Sequence, residues 1–257
     1  MVFDVRGKRR GVVKVVYAIL ALLMGLSLFL LGAGGSLSSI FGGGSSTSAT
    51  EAFEEQAQRI ERKLVKSPED PNLLLNLTRT RVNAGNSAVV VSSAGQQQTL
   101  ESQDQYNKAS AAWSEYLEAT DEPNAGLAQL MSNTLFTLAG ISSSAAEAEA
   151  NVKAAAEAQA IVAESRPSVG SLSTLSLYLL YTFDYAKAEK VKKEAIAQMN
   201  SKFERESFEN QYEEIEKQAK EFQKQLAESE KAQKQGAEAN PESSQNPFGA
   251  GGSSLGE

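Results

Sequence analysis

Four polar side chains, Asn72, Asn76, Arg79 and Asn83, stand at i, i+4, i+7 and i+11. On an α-helix that spacing is a single stripe. An amide both donates and accepts, so it can satisfy the backbone of an extended chain without asking for a particular sequence. A guanidinium grips a carboxylate with two parallel hydrogen bonds. Such a stripe is able to bind polar groups of a partner; the alternative is an ordinary solvated helix face. Catalytic chemistry has little to work with. The 257 residues include no histidine and no cysteine. That removes the usual general base near neutral pH, thiol nucleophiles, disulfides and the commonest metal ligands. No phosphate-binding GxxxxGK[ST] loop, GxGxxG turn or GxSxG elbow is present. Neighbouring carboxylates such as Glu54/Glu55 and Glu213/Glu214 lie in highly charged stretches and read as solvated faces. Asn76-Leu77-Thr78 matches the glycosylation pattern but falls inside a helix expected to be packed. The expectation is a protein that is not an enzyme, with no catalytic residue, no metal and no cofactor.

The stripe needs a helix to carry it, and one is predicted from Pro71 to Gly85. Asp70 supplies a cap, Pro71 suits the first turn, and Gly85 offers a stop. The predicted fold is all-α throughout. Before this helix, Ala49–Lys66 spaces Ala52, Phe53, Ala57, Ile60 and Leu64 at helical intervals and halts at Ser67-Pro68. After it comes a polar loop over 86–100 containing Val89-Val90-Val91, then a helix from about Thr99 to Thr120 with Tyr106, Ala109, Trp113, Tyr116 and Leu117, closed by Pro123. The pattern repeats. Asn124–Ala139 carries Leu127, Leu130, Met131, Leu135 and Leu138; Ala145–Glu164 is rich in alanine and closed by Pro167. Ser168–Tyr181 carries Leu172, Leu175 and Leu179, and Tyr185–Asn200 carries Ala188, Val191 and Ala195. Four of the six prolines fall at the junctions between these pairs, as expected of stacked helical hairpins. Each leucine face is too small to be a core by itself and must pack on its neighbours. Trp113, the only tryptophan, is expected to anchor that core.

These units resemble divergent tetratricopeptide repeats (TPRs). Counting Pro71 as position one, Leu74, Leu77 and Gly85 fall at positions four, seven and fifteen, where that family places large apolar residues and a glycine. Counting from Val169, Leu172 and Leu175 fit, Tyr185 and Ala188 match the opening of the second helix, and Phe183 replaces the glycine. The departures are in length: Pro71 to Pro123 is 52 residues and Pro123 to Pro167 is 44, against about 34 in the family. The resemblance covers residues 51–200. It implies that the first helices of the hairpins line a concave groove that holds peptides, with Asn76, Arg79 and Asn83 facing it and Asn72 on the same stripe. The 86–100 loop then either folds over the groove or is a tolerated insertion.

The flanks place this domain. Residues 1–14 hold five basic side chains and one acidic, a net of +4, and residues 15–50 hold no charge at all. With −7 in total, the remainder carries −11 and lacks the basic footprint that nucleic-acid binding requires. Val15–Ala33, nineteen residues without a charge, would span roughly 28 Å as a helix, about one hydrocarbon core. It is longer than the apolar region of a cleaved signal peptide. A transmembrane anchor is expected, with its basic end in the cytoplasm and the rest of the chain outside the cytoplasm. Gly and Ser dominate 34–48, a flexible tether reaching roughly 20–25 Å. From 201 to 235 a long charged helix carries Phe208, Tyr212, Ile215, Ala219, Phe222 and Leu226 at alternating spacings of four and three. That stripe suits either a capping helix or a coiled coil able to form a homo-oligomer. Residues 236–257 cannot bury a core and are expected to be disordered.

The sequence therefore predicts a single-pass cell-membrane protein presenting a TPR-like domain to envelope or secreted proteins. The role expected is that of an adaptor or chaperone-like subunit, in an arrangement similar to bacterial TPR proteins tethered beside the translocon. The other reading is a structural protein that oligomerises through 201–235.

Overall fold

A computed structural model describes residues 46–92 and 95–238. The expected basic N-terminus, the Val15–Ala33 anchor, most of the tether and the tail beyond 238 lie outside the described residues. Among those described, no helix is long and apolar enough to cross a membrane.

The described residues are all-α apart from one small hairpin. In order it comprises α1 (Ser46–Leu64), α2 (Pro71–Ser87), β1 (Val90–Ser92), β2 (Gly95–Gln97), α3 (Leu100–Glu118), α4 (Ala125–Ile141), α5 (Ala145–Ser165), α6 (Val169–Tyr181), α7 (Tyr185–Gln198) and α8 (Lys202–Glu238). Side-chain caps set most of the starts. Asp70 accepts from the Asn72 and Leu73 amides at 2.9 and 3.2 Å, Asn124 from Leu127 at 2.9 Å, Ser144 from Glu147 at 3.2 Å and Asp184 from Lys187 at 3.1 Å. Thr99 and Ser168 form reciprocal capping boxes in which Ser102 and Ser171 take the place usually held by Glu or Gln. Each cap satisfies amides that have no partner inside the helix.

Helices pack chiefly on their neighbours in sequence. Each of α1 to α6 packs on the next, with additional contacts from α2 to α4 and from α6 to α8. The leucine face of α2 is shared as expected: Leu77 meets Ala57 and Ile60 of α1, while Leu74 joins the core that holds Trp113. Trp113 is buried and stacks on Tyr116 with ring centroids 5.5 Å apart. A repeated device lies beneath. Aligning the caps Asp70, Asn124 and Ser168 puts Thr78, Ser132 and Ser176 eight residues later, and all three are fully buried. A small hydroxyl side chain there fills the close contact without a void.

Three local expectations change. The tether is shorter than predicted, because α1 begins at Ser46. Gly85 does not stop α2, which runs two residues further. A Cβ at Gly85 would run into the Tyr106 ring and come within 3.2 Å of the Ser102 carbonyl, so this glycine serves helix–helix approach. The 86–100 loop contains an antiparallel hairpin, pairing Val90 with Gln97, Val91 with Gln96 and Ser92 with Gly95. The β-branched valines favour the extended chain, and Thr99 closes the base by donating to the Ala88 carbonyl at 3.0 Å. Phe183 does take the glycine position, at φ 61°, ending α6 with the Asp184 amide bonded to the Leu179 carbonyl at 3.1 Å. A bulky residue in the left-handed region costs about 1–2 kcal/mol. Its ring gains contact with Phe222 of α8 at 6.1 Å.

Burial also decides how α8 uses its stripe. Phe208, Tyr212, Ile215 and Ala219 are buried in the chain's own core, with the Lys192 ammonium 4.4 Å from the centre of the Tyr212 ring. Tyr185 donates to Gln223 at 3.1 Å. Over 208–219 the helix caps α6 and α7, and that surface is not free to pair with another helix.

Candidate peptide-binding face

On α2 the predicted stripe is uncovered, as is Asn86 near the C-terminal end, and Leu73 and Leu75 are half-buried. Asn72, Asn76 and Arg79 are exposed and Asn83 is half-buried, while Leu74, Leu77, Thr78, Thr80, Arg81, Val82, Ala84 and Gly85 are buried. Among the described residues, no side-chain hydrogen bond or ion pair engages any of the four. In the hairpin Val90 and Val91 are 52% and 73% exposed, and the two strands pair with each other. The arrangement offers amide and guanidinium groups to solvent with their bonding capacity unspent.

The next helix extends this surface. Nine residues after its cap, α4 places Asn133 where α2 places Arg79, and Asn133 is exposed; Gln129 and Thr137 beside it are half-buried. Reading the sequence for one stripe missed Asn133, although aligning Asn124 with Asp70 would have found it. On α6 the same position is Leu177, 1% exposed, in the helix on which α8 packs. The polar stripe therefore belongs to α2 and α4 and ends there.

Sequence reasoning also missed the buried polar groups behind the face. Arg81, 6% exposed, donates from Nη1 to Gln105 Oε1 at 2.9 Å and from Nη2 to Glu61 Oε1 at 2.5 Å. Gln105 in turn donates to Glu54 at 2.6 Å, so one network ties α1, α2 and α3. Arg81 Nε is buried with no acceptor. A second network joins α4, α5 and α6: Ser132 donates to Gln159 at 3.0 Å, and Gln159 donates to the Ser171 carbonyl at 3.0 Å. Arginine and glutamine scattered in polar stretches carry no periodic signal of burial. Only the packing of three helices around them creates it.

Tyrosines are the other buried polar groups. Phe136 stacks on Tyr178 at 4.5 Å, and the hydroxyls of Tyr178 and Tyr181 are buried without partners. Burial pushes Tyr106 up to about 12 from the ordinary 10, and pushes Tyr178 and Tyr181 higher still. The fold holds these phenols neutral, whereas the unfolded chain ionises near 10. Their stabilisation is complete below pH 10 and is lost as pH climbs towards the folded values. Each such phenol steepens the decline by up to about 1.4 kcal/mol per pH unit. Alkaline titration should show phenolate absorbance appearing together with loss of helix, above pH 10. Absorbance from all of the tyrosines near pH 10 with helix intact would contradict this burial.

No group of histidine, cysteine or carboxylate side chains suited to holding a metal occurs among the described residues. Comparison with known proteins finds no matching family model, no matching curated protein and no matching solved structure.

Proposed function

We propose that this is a membrane-tethered, TPR-like adaptor that binds extended polypeptide along the α2–α4 face, outside the cytoplasm, without catalysis. The observation that carries the reading is the uncovered α2 stripe: four polar side chains with no side-chain partner among the described residues, on a helix whose opposite face is buried. Sequential packing of hairpins and the recurring buried position of Thr78, Ser132 and Ser176 support the repeat reading. Asn72, Asn76, Asn83 and Asn133 would satisfy a peptide backbone, and Arg79 would hold a carboxylate of the bound segment. The uncharged Val15–Ala33 run and the basic residues before it support an N-terminal anchor with its basic end in the cytoplasm. The partners would be envelope or secreted proteins, and the role chaperone-like. The alternative of self-assembly through 201–235 is less well supported, since its stripe over 208–219 is occupied within the chain.

A photocrosslinking residue placed at position 76 should capture polypeptide at the membrane, and one at exposed Lys153 of α5 should not. Adding Arg79→Ala to the first should cut its yield about tenfold, the value of one charge-assisted contact. Equal capture at positions 76 and 153 would sink the proposal.

A further inference from the structure

The main core runs through α2 to α8, whereas the buried apolar residues of α1 belong to a separate small cluster. There Ala57 and Ile60 meet Leu77 of α2 and Ala112 of α3. Leu64 at its end packs against both clusters, and two polar contacts add to the hold, Glu54 with Gln105 at 2.6 Å and Glu61 with Arg81 at 2.5 Å. Seven residues separate the two glutamates, which places them on one stripe with Ala57 and Ile60 between. So α2 and α3 present a helix groove with an apolar floor flanked by a buried guanidinium and a buried amide. Its occupant leaves the donors incompletely used, since Arg81 Nε has no acceptor. Its link to α2 is short and open to solvent, with Val65 85% exposed.

We propose that α1 is an exchangeable occupant of this groove, and that in crowded chains the α1 of a second copy takes its place. A second copy makes the same contacts, so exchange costs little. The resident helix competes at an effective concentration on the order of 1 mM, and crowding to that level tips the balance. Among the described helices, α5 repeats the pattern in Glu157, Ala160, Ala163 and Glu164, but it is held between α4 and α6. In α8, Glu209 and Glu216 repeat the spacing, but Tyr212 stands where the fully buried Ala57 stands in α1.

The chain has no cysteine, so single labels are unambiguous. Exposed Gln58 of α1, Ala111 of α3 and Lys193 of α7 take them as Gln58→Cys, Ala111→Cys and Lys193→Cys. Full-length chains labelled at 58 are mixed in detergent with chains labelled at 111 or at 193. Energy transfer between chains should rise for 58 with 111 between about 10 µM and about 1 mM, and stay at baseline for 58 with 193. Excess synthetic peptide of residues 49–66 should abolish it. Absence of transfer at about 1 mM, equal transfer for both pairs, or insensitivity to the peptide would overturn the exchange. So would membrane extract that separates labels at 58 and 111 within one chain while producing no transfer between chains, because the occupant would then be a different protein.

Discussion

Gly85→Val is expected to lower the stability of the helical domain by about 3 kcal/mol, through overpacking at the α2–α3 contact. The position has no room for a side chain: a Cβ would meet the Tyr106 ring and the Ser102 backbone. The ring cannot easily turn away, because Tyr106 is buried and its hydroxyl donates to Asn86 at 2.7 Å. Losing that bond adds about 1 kcal/mol, while removing a glycine from a helix returns less than about 1 kcal/mol. The clash wins. Thermal unfolding followed by circular dichroism should show a midpoint lower by roughly 6–12 °C. Tyr106→Leu, which deletes the outer ring, should recover part of that loss in the double variant. Gly170→Ala is the control, since a Cβ there meets nothing within 4 Å and the midpoint should hold or rise slightly. A Gly85→Val protein as stable as its parent would show that the two helices do not approach this closely.

Arg81→Met should cost about 2–3 kcal/mol, and the loss divides unevenly between its two partners. Gln105 is 1% exposed and would be left with a buried acceptor unpaired. The Glu61 side chain is 44% exposed and can rehydrate, so it contributes little. By the same reasoning Glu61→Gln should cost less than about 1 kcal/mol. Replacing both buried partners by apolar residues of similar shape removes the orphan. Arg81→Met with Gln105→Met should therefore recover to within about 1 kcal/mol of the parent. Denaturant midpoints at constant slope test the series. If Arg81→Met alone left the midpoint unchanged, the guanidinium would not be buried among α1, α2 and α3 as described.

Several features were legible in the residues alone because they depend on local chemistry. Capping side chains, prolines at junctions and apolar residues at helical spacing placed the helices of residues 49–200 to within a few residues, and the stripe of Asn72, Asn76, Arg79 and Asn83 emerged on one face. The leucine positions expected to be core are core, apart from half-buried Leu64, Leu117 and Leu130. Ala52, also assigned to the inner face of α1, is exposed. What tertiary structure decided were choices that local signals leave balanced. Gly85 reads equally well as a helix stop or a contact point, and only the Tyr106 ring of α3 distinguishes them. The 208–219 stripe suits a capping helix or a coiled coil until α6 and α7 are seen beneath it. Val89–Val91 looks like loop until the Gln96-Gln97 segment pairs with it. Burial of Arg81 and Gln105 was invisible for the same reason: a polar side chain is buried when distant segments converge on its partners, and sequence spacing records only what happens within one helix.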